Sequence, residues 1–144
     1  MEAIIYNLQQ VIADKFHLDN LTIDEDCGQL EALVQGLDQY PVTFPCVLIS
    51  SPETSWVTHT DHQKGNVTVV VRLALDVYED TRYGCGQEEG ILERAGHAKD
   101  LNSIINGRPL SSTAAKLIRT ASRSYSLPHG IKVYETEYHT SVND

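Results

Sequence analysis

Between Asn66 and Tyr78 every odd position is apolar: Val67, Val69, Val71, Leu73, Leu75 and Val77. Successive side chains on a strand point to opposite faces, so this period of two predicts one uninterrupted strand with its odd face in the core. At ~3.3 Å per residue it would reach roughly 43 Å, more than twice the usual strand, and it needs partners along that whole length. The even positions, Thr68, Val70, Arg72, Ala74, Asp76 and Tyr78, mix polar and apolar types, as on a face only partly covered. Upstream, Thr54 to Asp61 holds Trp56, Val57, Thr58 and Thr60, all strand-forming types, and Gln63 to Asn66 supplies turn chemistry. The two runs are predicted to pair as a long hairpin.

The rest of the chain changes period. Ile4, Ile5, Leu8, Val11, Ile12 and Phe16 recur at helical spacing, predicting an amphipathic helix over Glu2 to Phe16. Leu18 to Gly28, rich in Asp and Asn, reads as loop. Leu30, Leu33, Val34 and Leu37 allow a shorter helix reaching toward Gln39, which Pro41 would stop. Cys46 to Ser50, bounded by Pro45 and Pro52, reads as a short buried strand. Glu79 to Gly86 is a loop, and Gln87 to Asn106 is a second firm helix that Gly107 closes. Gly90 and Gly96 inside it each cost about 1 kcal/mol against Ala, which suggests close packing on the sheet. Ala115 to Tyr125 and Ile131 to Val142 read as two last strands, joined through Leu127 to Gly130.

The predicted order is α-(α)-β-β-β-α-β-β. Short connections favour antiparallel neighbours, and two main helices suffice to cover one face. The expected class is α+β, an antiparallel or mixed sheet with a long hairpin. At 144 residues the chain suits one domain, 1–144, with a real core. Its net charge of −9 argues against nucleic-acid recognition, which draws on Lys and Arg. Cys27, Cys46 and Cys85 make neither a disulfide framework nor a zinc knuckle, so a reducing compartment is expected. Met1 to Phe16 lacks a basic leader and a continuous apolar core, and no long apolar run exists, so neither secretion nor membrane insertion is expected.

No residue cluster declares a reaction. His59, Asp61 and His62 suggest a metal site, but on a strand 62 would point away from 59 and 61; solvated turn residues are the plainer account. Glu93 and His97, four apart on the second firm helix, form at most a solvent-facing ion pair. Cys85, between Gly84 and Gly86, could be an exposed nucleophile with His97 or His129 as base, but nothing in the sequence brings them together. Thr120 to Ser126, with Arg119 and Arg123, alternates like a wet sheet face. No catalytic, metal or cofactor-binding residue is assigned. Trp56, Tyr78 and Tyr83, near the ends of the hairpin, are candidate oligomer-interface anchors; the plainer reading of Trp56 is that it caps the core.

The order of elements resembles a known group. An amino-terminal amphipathic helix, the proline-flanked strand Phe44-Pro45-Cys46-Val47-Leu48-Ile49, a long hairpin ending in Val69 to Tyr78, a helix and terminal strands look like the tail terminator and tail completion proteins of long-tailed bacteriophages. The resemblance covers nearly the whole chain and rests on apolar pattern without an invariant motif. It implies a structural protein without catalysis, acting as a ring of identical copies, taken as a hexamer. Its partners would be the tail-tube protein and the head connector, in the tail or neck of a virion assembled in the host cytoplasm. The segment after His17 is longer than the simplest members need. Two other readings stay open: a small hydrolase or metal-dependent enzyme using Cys85 or His59 to His62, and a host adaptor or binding module.

Overall fold

The computed structural model describes residues 2–37, 42–77, 84, 86, 88–109 and 115–143. The chain order is α1 (Glu2–Lys15), β1 (Thr22–Glu25), α2 (Gln29–Val34), β2 (Cys46–Ile49), β3 (Glu53–Thr58), β4 (Gln63–Asp76), α3 (Glu88–Ile105), β5 (Ile118–Leu127) and β6 (Ile131–Asn143). The strands form one mixed sheet in the order β1-β2-β4-β6-β5, with β3 also on β4. Only the β1–β2 pair is parallel. The fold is α+β.

β4 is the predicted long strand, and its 14 residues find partners along both edges. On one edge β6 pairs with it from Lys64 to Asp76. On the other, β3 covers Gln63 to Thr68 and β2 covers Val71 to Ala74. Ser50 bridges the gap: its N–H donates to the Val70 carbonyl, and its hydroxyl accepts from the Val70 N–H.

The odd positions Val67 to Leu75 are buried against Ile5, Leu8 and Ile12 of α1 and Leu101 and Ile105 of α3, as the alternation predicts. Each such side chain removed from water contributes roughly 1.5–3 kcal/mol, which is what fixes the register of the strand. The even face departs from expectation. Ala74 and Arg72 are buried, because α2 lays Leu30 over Cys46, Leu48, Ala74, Ile131 and Val133 in a second, smaller core. Toward the start of β4 that face opens, through half-buried Val70 and Thr68 to exposed Asn66.

Several boundaries differ from the sequence reading. The segment read as loop contains β1, whose four residues show no alternation strong enough to predict it. The hairpin turns at His59 to His62, closed by the His59 N–H on the His62 carbonyl (2.8 Å), whereas Gln63 to Asn66 already belong to β4. α2 stops at Val34 and not near Gln39. Gly36, with φ 73°, allows its N–H to reach the Leu33 carbonyl and the Leu37 N–H to reach the Ala32 carbonyl, which satisfies the last helical carbonyls well before Pro41. β5 starts at Ile118 and β6 at Ile131, with the turn over Pro128 to Gly130. Close packing does not account for Gly96, since a Cβ there would meet nothing within 4 Å.

Candidate functional site

The β3–β4 hairpin carries Trp56 and Val57 on opposite faces, 46% and 49% exposed. Trp56 pairs with Gly65, and a Cβ on Gly65 would lie 2.8 Å from the Trp56 ring and 2.9 Å from the Thr54 methyl. Gly65 is therefore the seat on which the indole rests. Its register with Gly65 puts Trp56 on the core-facing side of the hairpin, half in solvent at the end of the buried row. Tyr78 and Tyr83 lie outside the described residues, as does Cys85. At the hairpin tip the His59 and His62 rings stack at 5.0 Å, and His62 Nδ1 lies 2.8 Å from Asp61 Oδ1. Among the described residues no group of three or more His, Cys, Asp or Glu is arranged to hold a metal.

The sheet's edges differ in how they are finished. Thr22 in β1 and Asp26 just after it donate to the Pro45 and Ile49 carbonyls, so Ile23 and Glu25 face away from β2. The outward groups of Glu25 are closed off within the chain: its N–H donates to Asp24 Oδ1 and its carbonyl accepts from Gln29 Nε2, both at 2.8 Å. A short, capped edge of this kind resists pairing with another chain. β5 is guarded at its start, where the Arg119 N–H donates to Asn106 Oδ1 (2.8 Å). From Thr120 to Leu127 no strand lies beyond it among the described residues, and Ala121 to Ser124 are exposed. Among the described residues β3 likewise pairs with β4 alone.

Charge is segregated along the same axis. The sequence from Phe16 to Gln63 contains no Lys or Arg, and the exposed Asp24, Glu25, Glu53 and Asp61 fall on the β1 and β3 side. From Asn106 to Val133 there is no Asp or Glu, and Lys116, Arg119 and Arg123 are exposed on the β5 side. The sheet thus runs from an acidic margin to a basic one.

Arg72 ties the acidic margin to the middle of the sheet. Its Nε donates to Asp26 Oδ2 (2.8 Å), and its Nη1 donates to Glu31 Oε1 (2.8 Å) and to the Tyr125 hydroxyl (3.3 Å). Burial works against the guanidinium charge, but the bonds to Glu31, Tyr125 and Asp26 outweigh it and raise the Arg72 pKa. The same bond from Arg72 lowers the Glu31 pKa. Next to it Arg123 Nε donates to Glu135 Oε2 (2.6 Å) and its guanidinium lies 5.0 Å from the Tyr125 ring. An arginine in the middle of an apolar strand was the sequence signal for this network, because a buried charge requires partners.

The remaining chemical candidates stay apart. Glu93 and His97 lie 3.6 Å apart on α3, an i,i+4 pair with Glu93 well exposed. They border a cleft of about 390 Å³ with Leu18, Pro45, Leu75 and Arg94. Cys46 is buried beneath α2, which pushes its thiol up to about 12, while Cys27 is exposed. No described helix is long and apolar enough to cross a membrane.

No family model and no curated protein matches the chain in sequence. In structure it is similar to a chain solved in the virion of a native gene transfer agent particle, with a TM-score of 0.60 and 8% identity. The match covers 99% of this chain and 93% of that one, so the likeness of fold extends over nearly the full length of both.

Proposed function

We propose that this chain is a structural assembly protein of a phage-like virion, acting as a ring-forming tail terminator or head-to-tail joining subunit. The observation that carries the reading is the fold likeness to a virion chain across nearly the full length of both proteins. The order of elements supports it, as do the half-exposed Trp56 and Val57 on the hairpin and the outer sides of β5 and of β3 from Ser55 to Thr58, beyond which no strand lies among the described residues. A subunit of this kind needs broad backbone and side-chain surface rather than a catalytic cluster. Its partners are copies of itself, the tail-tube protein and the head connector, and its place is the tail or neck of the particle.

The test is to add the purified chain to polymerising tail-tube protein from its own gene neighbourhood and image the product by electron microscopy. The expected result is shorter tubes of narrower length distribution with a ring at one end. Tubes of unchanged length with no bound chain would overturn the reading.

A further inference from the structure

We infer that neighbouring copies join head to tail through the sheet, with the basic outer edge of β5 from one copy laid against the acidic outer edge of β3 from the next. The inference rests on the ring reading above and names its interface.

Three observations select these two edges. First, β1 is short and has the outward groups of Glu25 already bonded, whereas β5 from Thr120 to Leu127 and β3 from Ser55 to Thr58 have no strand beyond them among the described residues. Second, the charges are complementary. Each margin repels its own kind, which disfavours a two-fold pairing of β5 with β5, whereas β5 against β3 brings opposite signs together and is heterologous, as a ring requires. Third, the direction fits. β3 runs antiparallel to β4, β4 to β6 and β6 to β5, so a neighbour rotated about an axis near the strand direction presents β3 antiparallel to β5.

The stagger of the two edges is compatible with closure. β3 stands level with Gln63 to Thr68 of β4, and β5, through β6, stands level with Thr68 to Asp76. Their centres are therefore offset by roughly 20 Å along the strands, and the four strands from β3 to β5 repeat every ~19 Å across them. A ring built on that step inclines its strands by about 45°, at the upper end of the tilt that closed barrels use. Centring the strands on each other brings Lys116 and Arg119 of one copy to the hairpin tip of the next, near Asp61, and Arg123, already held by Glu135, diagonal to Glu53.

The test uses two charge-reversed full-length chains, each checked for native circular dichroism. One carries Glu53→Lys and Asp61→Lys, making both margins basic; the other carries Lys116→Glu and Arg119→Glu, making both acidic. Sedimentation velocity should show the wild type as a closed oligomer and each variant alone dissociating at least about ten-fold more readily. An equimolar mixture of the two should reassemble, because each basic edge again meets an acidic one. A wild type that oligomerises while the variants are unaffected, or while their mixture fails to reassemble, overturns the edge pairing and leaves the ring standing. A wild type that stays monomeric at every concentration overturns both.

Discussion

The two halves of β4 are neighbours on one strand and differ in almost everything else. From Val71 to Leu75 the strand is buried on both faces, by α1 and α3 on one side and α2 on the other, and Arg72 is held by Asp26, Glu31 and Tyr125. From Gln63 to Thr68 the odd face alone is covered, and β3 beside it carries Trp56 and Val57 half in solvent. The first half is fixed by its own chain. The second lies beside β3, which has no strand beyond it among the described residues and carries aromatic, aliphatic and acidic surface. Length in a strand thus serves two ends: one half anchors, and the other reaches.

Three substitutions or conditions separate these halves. The largest effect belongs to Arg72→Ala, which leaves Asp26, with its side chain only 11% exposed, without its cation. Loss of one partner of a buried pair costs about 3–5 kcal/mol, to be read as a lower urea midpoint in chemical denaturation. A loss below about 1 kcal/mol would mean that α2 is held by its apolar contacts alone. Next comes Gly65→Val in the reaching half. The new side chain occupies the seat of the Trp56 ring, so a loss of about 1–3 kcal/mol and a shift in tryptophan emission are expected. Unchanged emission would show that the indole does not rest on Gly65.

The smallest effect is set by pH. Glu31 has its pKa lowered in the folded state by the bond from Arg72, so its contribution is present above the ordinary value of 4.5 and is lost as pH falls through the lower folded value. Its carboxylate is more than half exposed, and solvent screening keeps the contribution below about 1 kcal/mol. Denaturation midpoints of wild type and Glu31→Gln should therefore differ at pH 7 and converge in acid. A difference that persists unchanged below that range would assign the effect to packing rather than charge.

Legibility followed the physics of each element. α1, α3 and β4 were readable because burying one face imposes a period, and the period survives in the sequence as Ile4 to Phe16 and Val67 to Leu75. β1 was not readable. Its four residues, Thr22 to Glu25, are half-buried at best and owe their extended form to the ladder with β2. The end of α2 was misplaced because Pro41 is a louder stop signal than Gly36, although the glycine's left-handed conformation does the closing. The turn was misplaced for a similar reason: Gly65 and Asn66 have turn composition, but Gly65 is glycine to admit the Trp56 ring. As for the candidate site, Trp56 was proposed from its residue type, and the charge segregation lay in plain view as Lys- and Arg-free and Asp- and Glu-free segments. Their meaning needed the sheet order, which sets those segments at opposite margins.

By itself the sequence determined the long strand, its buried face, the two helices that cover it and the α+β class, since periodicity is the direct imprint of burial. Tertiary structure alone decided that β1 caps one margin, that α2 closes the second face over Arg72, and that β3 and β5, of opposite charge, have no strand beyond them among the described residues. Those are relations between segments distant in the chain, and hydrogen-bond pairing across a sheet leaves no periodic trace in the residues that make it.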